Sequence, residues 1–240
     1  THGYYNETTL VPRSQLKQAG LDIEKELTGK TYHDQVLALN RLIKKSAFQE
    51  LALFITEWNS SIAYSYQLNP FLNDHDLPND AAFMCRAVKE VNGYTQGFSH
   101  WTHSDVFEEW GLPGEHWPLK NGTYHGGFGL ITIDGIHKPS YHAFYFLHQM
   151  GKNLLKTKVD SPRQGIDAMA TLDGAKISVL AWYWLDTVMK KETQGPMALV
   201  SLKLENIPKE LIGKKLVFYR IDREHGNSFE EWLRMKKPEK

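Results

Sequence analysis

Leu51-Ala52-Leu53-Phe54-Ile55-Thr56-Glu57-Trp58-Asn59-Ser60-Ser61 is the stretch on which the reading of this chain turns. Five apolar residues in a row suit a short strand buried on both faces, as in a parallel sheet covered by helices. The run ends abruptly at Glu57, where such a strand leaves the core. In a (β/α) barrel the active site is built at the carboxyl ends of the strands, so a carboxylate there is held rigidly beside a substrate. The plainer alternative is a surface glutamate that happens to follow a strand.

On either side of this stretch, strand and helix patterns alternate as βα units do. Residues 1–5 read as a strand end. Residues 32–48 read as an amphipathic helix with Val36, Leu39, Leu42 and Ile43 on one face and Lys44 and Lys45 in its last turns. Residues 81–91 read as a second helix, capped by Asn79 or Asp80 and stopped at Asn92-Gly93. Cys85, the single cysteine, falls in that helix as a small core residue, and a lone cysteine excludes an intramolecular disulfide framework. Residues 97–101 form a further strand. A long segment, residues 103–138, leads to a helix at 139–150 that has Pro139 in its first turn and Gly151 just beyond its end. A loop of that length in a compact domain usually carries function. Beyond Gly151 come short apolar runs at 165–171, 176–184, 197–204 and 215–221. They are separated by Asp173-Gly174, a hairpin signal, and by Gly and Pro breaks, the pattern of an all-β module.

Composition fits a protein with a sizeable core. The chain has 240 residues, 41% of them hydrophobic, and Lys+Arg and Asp+Glu balance at 28 each. No basic surplus points to nucleic acid and no charge block points to a disordered tail. No signal-peptide pattern and no apolar stretch long enough to span a membrane occurs, and Thr1 as first residue leaves room for a leader upstream. The compartment stays open. Seven tryptophans are many; core packing accounts for most, and stacking on the C–H faces of a sugar is the sharper use.

Four segments in order carry a resemblance: ITEWNSS from Ile55, WTHSDVFEE from Trp101, YHGGFGL from Tyr124 and KPSYHAF from Lys138. With HGNSFEEWLRMKKP from His225, they resemble glycoside hydrolase family 39, which contains β-xylosidases and α-L-iduronidases. The resemblance implies a fold of α/β plus all-β type. Residues 1–152 would be the last three βα units of a (β/α)8 TIM barrel, and 153–240 an incomplete β-sandwich-like accessory domain. The first five strands would then be missing, leaving an open sheet edge.

The resemblance also implies the chemistry. A retaining glycosidase uses two carboxyl groups roughly 5 Å apart, one a nucleophile and the other an acid/base. Glu57 inherits the nucleophile's position. The family's acid/base lies in an Asn-Glu-Pro motif on an earlier strand, and no such string occurs here; Asn6-Glu7-Thr8 lacks the proline. His2 and Tyr4 match a His-x-Tyr near the nucleophile. Trp101 resembles the sugar platform, and Glu108 and Glu109 the acidic pair that takes substrate hydroxyls. Two departures stand out: Ile62 replaces a frequent tyrosine, with Tyr64 or Tyr66 nearby, and His103 stands where phenylalanine is usual in xylosidases. The implied activity is hydrolysis of terminal β-xylosyl residues from xylo-oligosaccharides by double displacement, with no cofactor and an oligosaccharide as partner. The alternatives are an α-L-iduronidase-like enzyme or, for this chain alone, a non-catalytic carbohydrate-binding fragment.

Other chemistries find less support. His100 and His103 are close, but no HExxH and no cysteine partner accompanies them, so no metal site is expected. Gly126, Gly127 and Gly129 lack nucleotide-loop spacing and are expected to permit positive φ in a tight loop. Asn6, Asn59 and Asn121 head glycosylation strings that matter only in a suitable host.

Overall fold

The computed structural model describes residues 31–60, 74–106, 123–124, 126–185 and 198–236. The elements in order are helix α1 (Thr31–Lys45), strand β1 (Phe54–Trp58), a 3-10 turn (Asp74–Asp76) and helix α2 (Pro78–Val91). Strand β2 (Gly97–His100) and helix α3 (Pro139–His148) follow. Strands β3 (Asn153–Leu155), β4 (Ile166–Asp173) and β5 (Lys176–Tyr183), a 3-10 turn (Lys209–Leu211) and helix α4 (Ser228–Arg234) complete the set. No described helix is long and apolar enough to cross a membrane.

β1 and β2 pair in parallel, with Phe54 opposite Gly97 and Ile55 opposite Phe98. A Cβ on residue 97 would lie 2.4 Å from the Phe54 ring, so glycine is what lets that ring lie across β2. The expected burial on both faces holds for one face only. Leu53, Ile55 and Trp58 are buried, whereas Leu51, Phe54 and Thr56 are exposed in this chain. Helices α1, α2 and α3 supply the covered side, where Val36, Met84, Ala87, Val91 and Ala143 join the same core. Among the described residues nothing covers the other side of β1, so its side chains meet solvent.

Both expected central helices form. Helix α2 starts earlier than its hydrophobic pattern suggests, because Pro78 takes the first position, where its missing N–H costs nothing. The expected cap does not form: Leu77 occupies the capping position without a side-chain bond. Asn79 turns away and brackets residue 185, donating to Leu185 O at 2.7 Å and accepting from Leu185 N at 2.9 Å. Gly93 takes φ +83° just past the helix end. Cys85 is buried, and desolvation pushes its thiol up to about 12.

β3, β4 and β5 form an antiparallel sheet in that order. Asp173 pairs with Lys176 across a two-residue turn in which Gly174 takes φ +53°, as the Asp-Gly signal indicated. The expected strands at 197–204 and 215–221 do not form a ladder among the described residues. Residues 198–204 and 215–221 run without regular structure, and Leu199, Leu202, Leu216 and Phe218 are exposed. A strand needs a partner edge for its backbone, and apolar content alone does not provide one. The sheet and the α/β part share one core: Met169, Trp182 and Trp184 pack in the cluster that holds Trp58 and Phe83. The strand expected near Tyr5 lies outside the described residues.

Candidate active site

Glu57 sits near the carboxyl end of β1, where the pairing with β2 slips. From Ile55 to Trp58 the strand advances three residues while β2 advances two, from Phe98 to His100. Strict alternation would put Glu57 on the inner side with Leu53 and Ile55. The extra residue breaks that period, leaving Glu57 half-buried while Trp58 turns fully inward. Bulges of this kind commonly re-aim a side chain beside a functional site.

Trp58 anchors the strand end. Its ring stacks on Phe98 at 4.1 Å between centroids, and His100 meets it edge-on at 5.4 Å. Phe83 and Phe144 close the surrounding aromatic shell. Aromatic pairs in such geometries add about 0.5–1.5 kcal/mol each beyond burial. His100 is enclosed in this shell. Burial holds its imidazole down to about 3, with the charges of nearby His75 and Lys138 acting in the same direction, so it stays neutral at ordinary pH.

The next residue outward, Asn59, ties three segments together. It is buried, and its side-chain amide donates to the carbonyl of Trp101 and, at 3.3 Å, to that of Phe128. With both donors engaged in the interior, Asn59 is not accessible for glycosylation in the folded chain. Trp101 N donates to Trp58 O at 2.9 Å, which sets half-buried Trp101 directly beyond the β2 end and beside the β1 end. The Trp101–Thr102 peptide is cis.

Residues 101–105 and 126–131 then run side by side. Thr102 N donates to Phe128 O, Leu130 N to the carbonyls of Thr102 and His103, and Asp105 N to Ile131 O. Of the three glycines expected to need positive φ, Gly126 does, at +73°. Gly129 is needed for a different reason: a Cβ there would lie 2.2 Å from the Ser104 carbonyl carbon.

Beneath this loop lies a buried ionic cluster that the sequence reading overlooked. Lys138 Nζ lies 2.7 Å from Asp76 Oδ1 and 2.6 Å from Asp105 Oδ2, and it donates to Gly127 O at 2.9 Å. The remaining carboxylate oxygens accept from Gly126 N at 2.8 Å and Gly129 N at 2.7 Å. His75 Nδ1 lies 2.9 Å from Gly126 O. Burial alone would lower the Lys138 ammonium, but the charges of Asp105 and Asp76 outweigh it and hold the group well above its usual range. The only signal in the sequence was indirect: a lysine beside a helix-starting proline, and aspartates in two separate loops. Nothing in their spacing brings them together.

The structure therefore brings Glu57 and Trp101 to adjacent ends of two parallel strands. His2, Tyr4, Glu108 and Glu109 lie outside the described residues, as do Ile62, Tyr64 and Tyr66. His103 is exposed. Among the described residues, no three His, Cys, Asp or Glu side chains converge as metal ligands.

Comparison with known proteins identifies the family. The profile of the family described as glycosyl hydrolases family 39 matches residues 9–240. A beta-xylosidase of Geobacillus stearothermophilus is 32% identical over 205 residues, covering 85% of this chain and 36% of its own length. A beta-xylosidase of Caldicellulosiruptor saccharolyticus is 30% identical over 202 residues, covering 81% of this chain and again 36% of the relative. The solved structure of a GH39 beta-xylosidase from Caulobacter crescentus superposes with a TM-score of 0.51 at 26% identity, over 77% of this chain and 39% of that one. The chain thus spans about a third of the length of the curated relatives it matches. With that match across nearly all of its residues, the chain belongs to glycosyl hydrolases family 39.

Proposed function

We propose that this chain is the C-terminal part of a retaining exo-glycosidase that removes terminal β-xylosyl residues from xylo-oligosaccharides. Residues 1–152 are its share of a (β/α)8 barrel and residues 153–240 part of a β-sandwich-like domain. Glu57 is the nucleophile. The observation that carries the reading is the placement of Glu57 and Trp101 at neighbouring carboxyl ends of the parallel β1–β2 pair, where barrel enzymes assemble their sites. The beta-xylosidase names of two curated relatives support the substrate class.

The mechanism is the one that membership of the family implies. Glu57 attacks the anomeric carbon and the aglycone leaves with a proton from a second carboxyl group; water then enters with that group as base. This chain holds no Asn-Glu-Pro string, so the acid/base belongs to the part of the barrel outside it. Trp101 packs on the sugar, and His2, Tyr4, Glu108 and Glu109 hold the nucleophile and the substrate hydroxyls. The 240-residue chain alone is accordingly inactive.

The test is Glu57→Ala in the full-length enzyme on an activated aryl β-xyloside. Turnover should nearly vanish, and azide should partly restore it by attacking from the vacated face. Near-normal activity of the variant would sink the assignment. Turnover by the purified 240-residue chain would instead mean that the acid lies within it.

A further inference from the structure

Lys138 precedes helix α3, an address at which lysine is ordinarily a solvated surface charge. Here its side chain is fully enclosed, at 0% exposure. An ammonium has three donors, and each has an acceptor: Asp76, Asp105 and the carbonyl of Gly127. Each carboxylate spends its other oxygen on a glycine amide of the same loop, Asp76 on Gly126 and Asp105 on Gly129. Three successive contacts of the loop backbone therefore end on one three-residue cluster.

Such a cluster is a poor way to gain stability. Replacing a buried ion group by well-packed apolar side chains is often neutral or stabilising, whereas removing one partner is costly. What charge offers over apolar packing is direction. Residues 126–130 carry three glycines and two large apolar side chains, buried Phe128 and half-buried Leu130, so much of the path of this loop is left to contacts of its backbone. Fixed donors and acceptors supply those contacts. The same loop reaches the candidate site through Phe128 O, which accepts from Thr102 N and from Asn59, two residues beyond Glu57.

We propose that Lys138, with Asp76 and Asp105, is a positioning residue: it fixes residues 126–130 against residues 101–105 so that Trp101 stands as a rigid wall of the sugar pocket beside Glu57. The cluster touches neither substrate nor nucleophile. It acts on the wall, so its loss weakens sugar binding more than it slows chemistry at Glu57. This inference rests on the glycosidase reading for its ligand, a neutral pentose glycoside, and on the observed contacts alone for the clamp.

The experiment uses the full-length enzyme and Lys138→Met. Michaelis parameters are measured on an aryl β-xyloside, together with binding of a xylose-shaped iminosugar and amide hydrogen exchange of the peptide covering residues 123–131. KM and the iminosugar Kd should each rise by about tenfold or more while kcat changes by less than about threefold, the split expected when ground-state binding is lost. Exchange in residues 123–131 should accelerate while that of helix α2 does not. A folded Lys138→Met enzyme with wild-type KM and iminosugar affinity overturns the proposal. If that variant does not fold, Gly129→Ala carries the test. It keeps every charge but drives the loop off Ser104 and Asp105, and it should raise KM in the same way; wild-type KM in Gly129→Ala overturns the proposal too. The two readings fail differently. A wild-type enzyme inactive on every aryl β-xyloside breaks the glycosidase assignment, whereas an active wild type whose folded variants keep their KM breaks the clamp.

Discussion

Lys138 and Leu199 invert the usual rule of burial. The lysine is 0% exposed beneath the loop at the strand ends, whereas the leucine, in the segment at 198–221, is 98% exposed. Around Lys138 two carboxylates and a backbone carbonyl converge on the ammonium, and two glycine amides of the loop reach the same carboxylates. Around Leu199 the chain carries apolar side chains but, among the described residues, no ladder holds its backbone. The difference teaches what decides burial here. A charge goes inside when directional partners from three segments converge on it. An apolar side chain stays outside when its backbone has no hydrogen-bonded place to lie.

The comparison can be broken most sharply at Lys138. Removing its charge leaves Asp76 and Asp105 as uncompensated, enclosed neighbours. Lys138→Met should lower unfolding stability by about 3–5 kcal/mol, the usual cost of breaking a buried pair. Adding Asp105→Asn to Lys138→Met should recover part of it. Equilibrium denaturation of the 240-residue chain checks this, and a loss under about 1 kcal/mol would mean that the cluster is far more solvated than its geometry indicates.

A smaller effect tests the polar interior by pH. An unfolded imidazole takes up its proton near 6.5, but that of His100, enclosed by aromatic rings, does so only near 3. Between those values the unfolded chain binds more protons, so the His100 contribution to stability is lost as pH falls from 6.5 toward 3. Lys138 has the opposite sign. Its folded value is raised, so its contribution is complete below the usual lysine range of about 10 and fades only above it. Denaturation midpoints for His100→Phe, which keeps a ring against Trp58 and Phe144, should fall less steeply with acid than those of the wild type. Equal slopes would remove His100 as the cause.

The smallest effect belongs to the other side of the comparison. Phe218 is 78% exposed, so Phe218→Ser should change the stability of this chain by no more than about 0.5 kcal/mol. The same change should raise its solubility by shrinking an apolar patch. A loss above about 1 kcal/mol would show that the Phe218 side chain packs against the core in solution.

Much of the fold was legible because it is written in local patterns. The apolar spacing of Val36, Leu39 and Ile43 and the run from Ala81 to Val91 mark helices, and Asp173-Gly174 marks a hairpin that forms as expected. For the candidate site, Glu57 and Trp101 are singled out by their places at strand ends and by the family motifs around them. Lys138, Asp76 and Asp105 were not found, because their chemistry depends on three loops meeting, and sequence spacing does not encode that meeting.

The sequence by itself determined the helices, the β1 and β2 strands, the hairpin, the family and the identity of the candidate nucleophile. Each of these is carried by neighbours within a few residues or by long motifs. The tertiary structure alone decided which face of β1 is covered, how the slip between Ile55 and Trp58 re-aims Glu57, and that residues 215–221 stay outside the sheet. It also turned a helix-flanking lysine into the buried centre of the loop beside the candidate site. The physical reason is range. Periodicity and turn chemistry act along the chain, whereas desolvation and charge pairing are set by whatever the fold brings within a few ångströms.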